Sequence, residues 1–270
     1  MSLAVAFKGP EGIVLAADSR VTLTAKLPTG ELLPAYFDSA TKLLSVSNQL
    51  FVGMVTYGAG ALGQTEPRTA HGYIPEFEAH LSSRGNDRLG VEEFASEVSA
   101  FYLARWQGTG MPVPAMPPIQ PLMFLVAGFD DGASYGRVFE VNIPNAPTPS
   151  ERSPNQFGVS WGGQSEFVER LLIGVDPRAA GLAKDAASLD DTQVQSVTQK
   201  WRENLGLPIP YQFLPLQDCV NLSTFLVNMT STVQTWTVAI RGVGGEVDVA
   251  TITRTEGFRP LQQKRVQVYG

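Results

Sequence analysis

Apolar residues at the start of the chain come in short runs. Residues 3–8 (LAVAFK) and 13–18 (IVLAAD) flank Gly9-Pro10-Glu11-Gly12, and Pro and Gly at those places predict a β-hairpin. Residues 19–41 carry Pro28, Gly30 and Pro34 and read as an extended loop with ragged strand edges. KLLSV (42–46) and QLFVGMVTY (49–57) read as a second strand pair turning at Ser47-Asn48. Helical spacing follows at Tyr73, Phe77, His80 and Leu81, then from about Val91 to Trp106 through Phe94, Val98, Phe101, Tyr102 and Arg105. Residues 108–121 hold five prolines in fourteen positions and predict no regular element. Strands return at 121–130 and 136–143, before a Pro- and Ser-rich loop over 144–156.

A third helix is expected at 165–173 (SEFVERLLI), and a polar, Asp-capped surface helix at 190–205. From Gln217 to about Val238, the stripe Leu222, Phe225, Leu226, Met229, Val233 and Trp236 predicts a buried helix face. EVDVATITRT (246–255) alternates as a closing strand. Strand runs and helix runs are segregated, which predicts an α+β class with antiparallel sheet. No internal repeat stands out. The expectation is a single domain over 1–270, with inserted loops at about 21–41, 108–121, 144–157 and 175–217.

Composition narrows the function. Hydrophobic residues make up 43% of the 270, enough for a sizeable core. Net charge is −6 with no basic run, which argues against a nucleic-acid partner, because neutralising phosphates needs clustered Lys and Arg. Cys219 is the only cysteine, so no intrachain disulfide can form and a reducing compartment is expected. With His71 and His80 the only histidines, a Cys/His zinc site is excluded and no metal is implied. Lys8, Glu11 and Asp18 interrupt every early apolar run, so no secretion signal is expected. No apolar stretch reaches the roughly 18 residues of a membrane span. The expectation is a soluble, cytoplasmic protein with neither nucleic acid nor membrane as a partner.

The candidate chemistry begins at Ser2. Removing Met1 would place a free α-amine beside the Ser2 hydroxyl, putting base and nucleophile on one residue, as N-terminal nucleophile hydrolases require. No segment precedes Met1 in the sequence, so maturation is expected to need only methionine removal. If the first hairpin turns between Pro10 and Glu11, opposed residues have numbers summing to about 21. Ser2 then lies across from Ser19, with Asp18 one step away, and opposed Cβ atoms sit roughly 4.5–5.5 Å apart. Asp18 is equally readable as the polar end of a strand. A cation near the hydroxyl would stabilise its alkoxide. Lys8 lies roughly 20 Å along an extended strand, whereas Lys42 opens the next strand pair and can be aimed back at Ser2. By residue type alone, Lys42 is also an ordinary solvated strand-end lysine. The glycine-rich turn Gly58-Ala59-Gly60 suits an oxyanion-binding backbone, and equally suits an ordinary tight turn.

Residues 4–20, AVAFKGPEGIVLAADSR, resemble the opening of proteasome β subunits and their bacterial HslV-type and ancestral-β-type relatives. Counting back from Asp18-Ser19-Arg20 without a gap puts Ser2 on the family's N-terminal nucleophile, normally threonine. TKLLSV (41–46) resembles the lysine-bearing strand and puts Lys42 on the catalytic lysine after an insertion. TYGAGALGQTE (56–66) resembles the turn that supplies the oxyanion N–H, with Gly58 the best match. VSWGGQSEF (159–167) and IRGVGGEVDVATITR (240–254) resemble the family's third-helix turn and its last strand.

The resemblance implies a four-layer αββα sandwich, assembly into a homo-oligomeric ring, and hydrolysis of peptide or protein substrates without a cofactor. Ser2, Asp18, Lys42 and Gly58 would be the catalytic set. It leaves open whether an ATPase partner feeds such a ring. Two departures stand out. The family's supporting serine corresponds to Gly162, and its supporting aspartate falls near Ile240, where no carboxylate exists. Two alternatives therefore accompany the peptidase reading: a non-catalytic ring subunit, and a specialised amidase or peptide ligase.

Overall fold

The structure, a computed structural model, describes residues 2–26, 29–63, 66–85, 87–238 and 240–264. These form two compact units, residues 1–163 with 211–270, and residues 164–210. The architecture is α+β with antiparallel sheets.

In the first unit, β1 (Leu3–Lys8) and β2 (Ile13–Ala17) form the expected hairpin. Ala4 pairs with Ala17 and Lys8 with Ile13, so paired numbers sum to 21 as the sequence predicts. The segment expected to be a loop is instead a second hairpin, β3 (Val21–Lys26) with β4 (Leu32–Phe37). In a two-stranded ribbon each strand has a free edge, where Pro34 forfeits no ladder bond.

β5 (Leu43–Leu44) and β6 (Val52–Gly58) follow. Leu43 pairs with Val55, which centres the turn near Gln49 rather than at Ser47-Asn48. The buried Gln49 side chain explains the wider turn, because its amide donates to Asp87 O and accepts from Leu89 N–H at 2.9 Å each. A 3-10 turn at His71–Tyr73 leads into α1 (Ile74–Arg84), then α2 (Val91–Gly108). β7 (Leu122–Gly128) and β8 (Arg137–Ile143) form the next hairpin. Two strands were not foreseen: β9 (Ala146–Glu151) in the Pro-rich segment, and β10 (Gly158–Gly163) where a turn was expected.

α6 (Leu216–Thr235) and β11 (Asp248–Thr253) match the sequence reading, and β12 (Gly257–Gln262) is a further unforeseen strand. The order in one sheet is β10-β1-β2-β11-β12, and in the other β5-β6-β7-β8-β9. The missed strands β9, β10 and β12 are all edge strands, where prolines and half-exposed positions blur the apolar alternation.

One face of each sheet meets the other. Ala4, Ala6, Ile13, Leu15, Ala17, Ala250 and Ile252 from the first join Leu43, Val55, Leu125, Ala127 and Val138 from the second. The second sheet's opposite face carries Met54, Phe124, Val126 and Val141 against Phe77, Phe94, Phe101, Tyr102 and Trp106 of α1 and α2. α6 lies against β1, β2 and β11. Its buried face matches the predicted stripe only in part: Leu226 is buried and Leu222, Met229 and Val233 are half-buried. Cys219, Ser223, Leu226, Val227, Thr230 and Gln234 are buried, whereas Phe225 and Trp236 are 51% and 76% exposed. Ser223 and Thr230 can be buried because their hydroxyls donate back to Cys219 O and Leu226 O. Among the described residues no helix is long and apolar enough to cross a membrane.

The second unit holds α3 (Glu166–Leu172), α4 (Ala179–Ala187) and α5 (Asp191–Leu205). α5 begins with the expected Asp190 cap, completed as a capping box by Gln193. α4 falls where the sequence reading expected an inserted loop, over about 175–217.

Candidate active site

The end of β2 is where the candidate residues meet. Asp18 is fully buried. Its Oδ1 accepts from Leu3 N–H at 3.1 Å and from Lys42 Nζ at 2.7 Å. Its Oδ2 accepts from the N–H groups of Arg20 and Gly244, both at 3.1 Å. Four donors converging on one buried carboxyl are a strong arrangement for a carboxylate. The Leu3 bond ties Asp18 to the residue that follows Ser2, and so fixes where Ser2 leaves the sheet.

Lys42 is 4% exposed and precedes β5. Its ammonium donates to Asp18 and, at 2.5 Å, to the carbonyl of Arg20. Two of its three N–H groups are thereby used, and the third remains. Burial pushes the Lys42 ammonium below the ordinary lysine value, opposed by the attraction of Asp18 and aided by repulsion from Lys264 and Arg20. Ser2 is 5% exposed and lines one small cavity together with Val21, Lys42, Thr56, Tyr57 and Gly60. The cavity leaves about 20 Å³ for water-sized centres, room for one water.

Gly58 terminates β6. Thr56 N–H donates to Lys42 O at 3.0 Å, whereas Ala59 N–H turns the other way, to Pro121 O at 2.9 Å. Backbone groups alternate along a strand, so Gly58 N–H is directed to the same edge as Thr56 N–H, just past β5. Glycine is required here: φ is +82°, and a Cβ would fall 2.1 Å from Pro121 O. Ser2 and Lys42 thus line one cavity and Asp18 holds the Lys42 ammonium, whereas Gly58 lies in the neighbouring turn without lining that cavity. Lys8 lies apart, donating to Ser153 O at the far end of β1.

Gly162, opposite Ala4 on β10, has no room for a side chain. A Cβ there would come within 2.1 Å of the Tyr57 ring. The Tyr57 hydroxyl donates to Glu140 Oε2 at 2.9 Å, and burial and the Glu140 charge raise its pKa above the tyrosine range. The space beside Gly162 is therefore filled from the opposite sheet. The 241–245 turn supplies Gly244 N–H to Asp18 and Arg241 O to Arg20.

Several partners lay beyond the sequence reading. Arg20 forms a two-pronged pair with Asp38 at 2.6 and 2.7 Å, and lies over the Tyr36 ring. Arg20 stands inside the Asp18-Ser19-Arg20 triplet, the one signal that could have flagged it. Cys219 is buried, and its thiol is pushed up to about 11 chiefly by burial, which suits an inert core residue. Among the described residues no cluster of His, Cys, Asp and Glu could hold a metal.

Among solved structures, the chain is similar to the Anbu (Gly-1) mutant from Hyphomicrobium sp. strain MC1. The TM-score is 0.55, over 98% of this chain and 87% of that one, at 16% sequence identity. The two share a fold. No family model matches the chain, and no curated protein matches it.

Proposed function

We propose that this chain is a proteasome-like N-terminal-nucleophile hydrolase that cleaves peptide or amide bonds with Ser2 once Met1 is removed. The observation that carries the reading is that Lys42, held by the buried Asp18, lines the same cavity as Ser2. The fold shared with the Anbu structure supports it. The two facing sheets, with α1 and α2 outside one and α6 outside the other, support a four-layer αββα sandwich. Ring assembly and a peptide or protein substrate are part of the proposal.

In this mechanism the Ser2 hydroxyl oxygen attacks the carbonyl carbon of the scissile amide. Its proton passes to the Ser2 α-amine through one water, for which the cavity has space. The Lys42 ammonium stabilises the developing alkoxide, and Asp18 keeps that ammonium in place. Gly58 N–H donates to the oxyanion of the tetrahedral intermediate. The protonated amine then returns the proton to the leaving nitrogen, the C–N bond breaks, and an ester on Ser2 remains. A water molecule, deprotonated by the same amine, hydrolyses that ester.

A second reading, a ring subunit without catalysis, is favoured by one observation: the Tyr57 ring fills the space beside Gly162. N-terminal sequencing and hydrolysis of fluorogenic peptides separate the two. The hydrolase reading expects Ser2 as the first residue and turnover that is lost in both Ser2→Ala and Lys42→Met. Retained Met1, or turnover surviving Ser2→Ala, contradicts it.

A further inference from the structure

A second buried ion pair stands next to the first. Asp248 opens β11 directly across from Ala17, and is 2% exposed. It shares the inter-sheet face with Ala250 and Ile252. The chain leaving β12 returns to this point, because β12 runs antiparallel to β11. There Lys264 N–H donates to Asp248 Oδ1 at 3.0 Å, and the Lys264 ammonium pairs with Asp248 Oδ2. The same ammonium donates to the Ser19 hydroxyl at 2.9 Å, while that hydroxyl donates to Glu246 O at 2.7 Å. Ser19 is fully buried, and its carbonyl accepts from Ala40 N–H at 2.9 Å, two residues before Lys42. Its chain neighbours are the two residues that hold the Lys42 ammonium, Asp18 and Arg20.

We infer that Lys264, delivered by Asp248, is a positioning residue of the Ser2 site: it fixes Ser19 and sets a second positive charge beside Lys42. The inference rests on the hydrolase reading above. The ionic surroundings of Lys42 are Asp18 and Arg20 past β2, Asp38 past β4, Lys264 past β12 with its partner Asp248 at the start of β11, and, in the proposed mature chain, the Ser2 amine ahead of β1. Of these, Lys264 and Arg20 repel its charged form. Arg20 is matched in a two-pronged pair with Asp38. Ser19 and Lys264 therefore link the far edge of one sheet to the lysine of the other. A helper of this kind is invisible to a motif search, since Lys264 lies outside every segment that carries the resemblance.

The test uses the full chain with ¹³Cε-labelled lysine. With six lysines, Lys42 is assigned by its loss in Lys42→Arg. Two titrations are compared in wild type, Lys264→Met and Lys264→Arg: the Lys42 Cε resonance, and the rate at which a β-lactone acylates Ser2. Removing the Lys264 charge relieves repulsion on the Lys42 ammonium. Its midpoint, and the alkaline limb of acylation, are both expected to move up by roughly 1 pH unit in Lys264→Met. Lys264→Arg keeps the wild-type limb. If Lys264→Met fails to fold, Asp248→Asn/Lys264→Met removes both charges together and is expected to move the limb by a smaller amount in the same direction. Acylation of Ser2 with an unmoved limb overturns the inference and leaves the hydrolase reading intact, whether or not the Cε midpoint moves. A wild type that is never acylated at Ser2 overturns both.

Discussion

The Lys42 ammonium sits 2.7 Å from Asp18 Oδ1, with side-chain exposures of 5% and 1%. A pair this buried is costly to break from one side, because the surviving charge stays without its partner. Asp18→Ala is expected to destabilise the protein by about 3–5 kcal/mol in urea denaturation. Asp18→Asn, which keeps acceptor capacity toward Leu3 N–H or Gly244 N–H, is expected to cost less. Equal stabilities for wild type and Asp18→Ala would remove the pair from the structural account.

The pH dependence has a defined sign. Burial holds Lys42 below the ordinary lysine value of 10.5. Between the lowered value and 10.5 the unfolded chain binds more protons than the folded one, so this group's contribution to stability rises with pH. Wild type is therefore expected to gain stability relative to Lys42→Met as pH climbs from neutral toward 10.5. Denaturation midpoints of both proteins across that range measure it, and a difference that falls with pH contradicts the assigned direction.

Gly162 and Tyr57 are expected to be coupled. Gly162→Ser alone drives its Cβ into the Tyr57 ring and should destabilise by roughly 1–3 kcal/mol, the usual scale of overpacking. Adding Tyr57→Ala opens the space, and the double variant is expected to lose less than the sum of the two single losses. Additive losses would place the two groups out of contact.

The face of α6 can be checked by two neighbouring truncations. Leu226→Ala, at a fully buried position, is expected to cost about 2–5 kcal/mol. Phe225→Ala, at a residue 51% exposed, is expected to stay within about 0.5 kcal/mol. The reverse order would contradict the exposures of these two side chains.

That helix illustrates where the sequence was legible and where it was not. The β1–β2 register was readable to the residue, because a Gly-Pro turn and two apolar runs fix both period and centre. The same register, extended past Ala4 and Ala17, sets Ser2 beside Asp18 across the hairpin. On α6 the spacing marked a helix but only part of its buried side. Beside Leu226 and Val227, the buried face includes Ser223 and Thr230, whose hydroxyls donate to carbonyls of their own helix. Edge strands β9 and β12 were missed because Pro147, Pro149 and Pro260 read as breakers, although an edge tolerates them. The Lys264–Asp248–Ser19 cluster was hidden for another reason. Ser19 and Lys264 lie 245 positions apart, and only the return of β12 along β11 brings them together.

The central claim is that residue 2 is a reactive amino-alcohol served by Lys42 and Asp18. Incubating the full chain with a peptide epoxyketone and mapping the adduct by peptide mass spectrometry tests it directly. The account predicts one adduct on an N-terminal Ser2, absent from Ser2→Ala and strongly slowed in Lys42→Met. An unmodified Ser2 under conditions where the probe reacts elsewhere on the chain would contradict it.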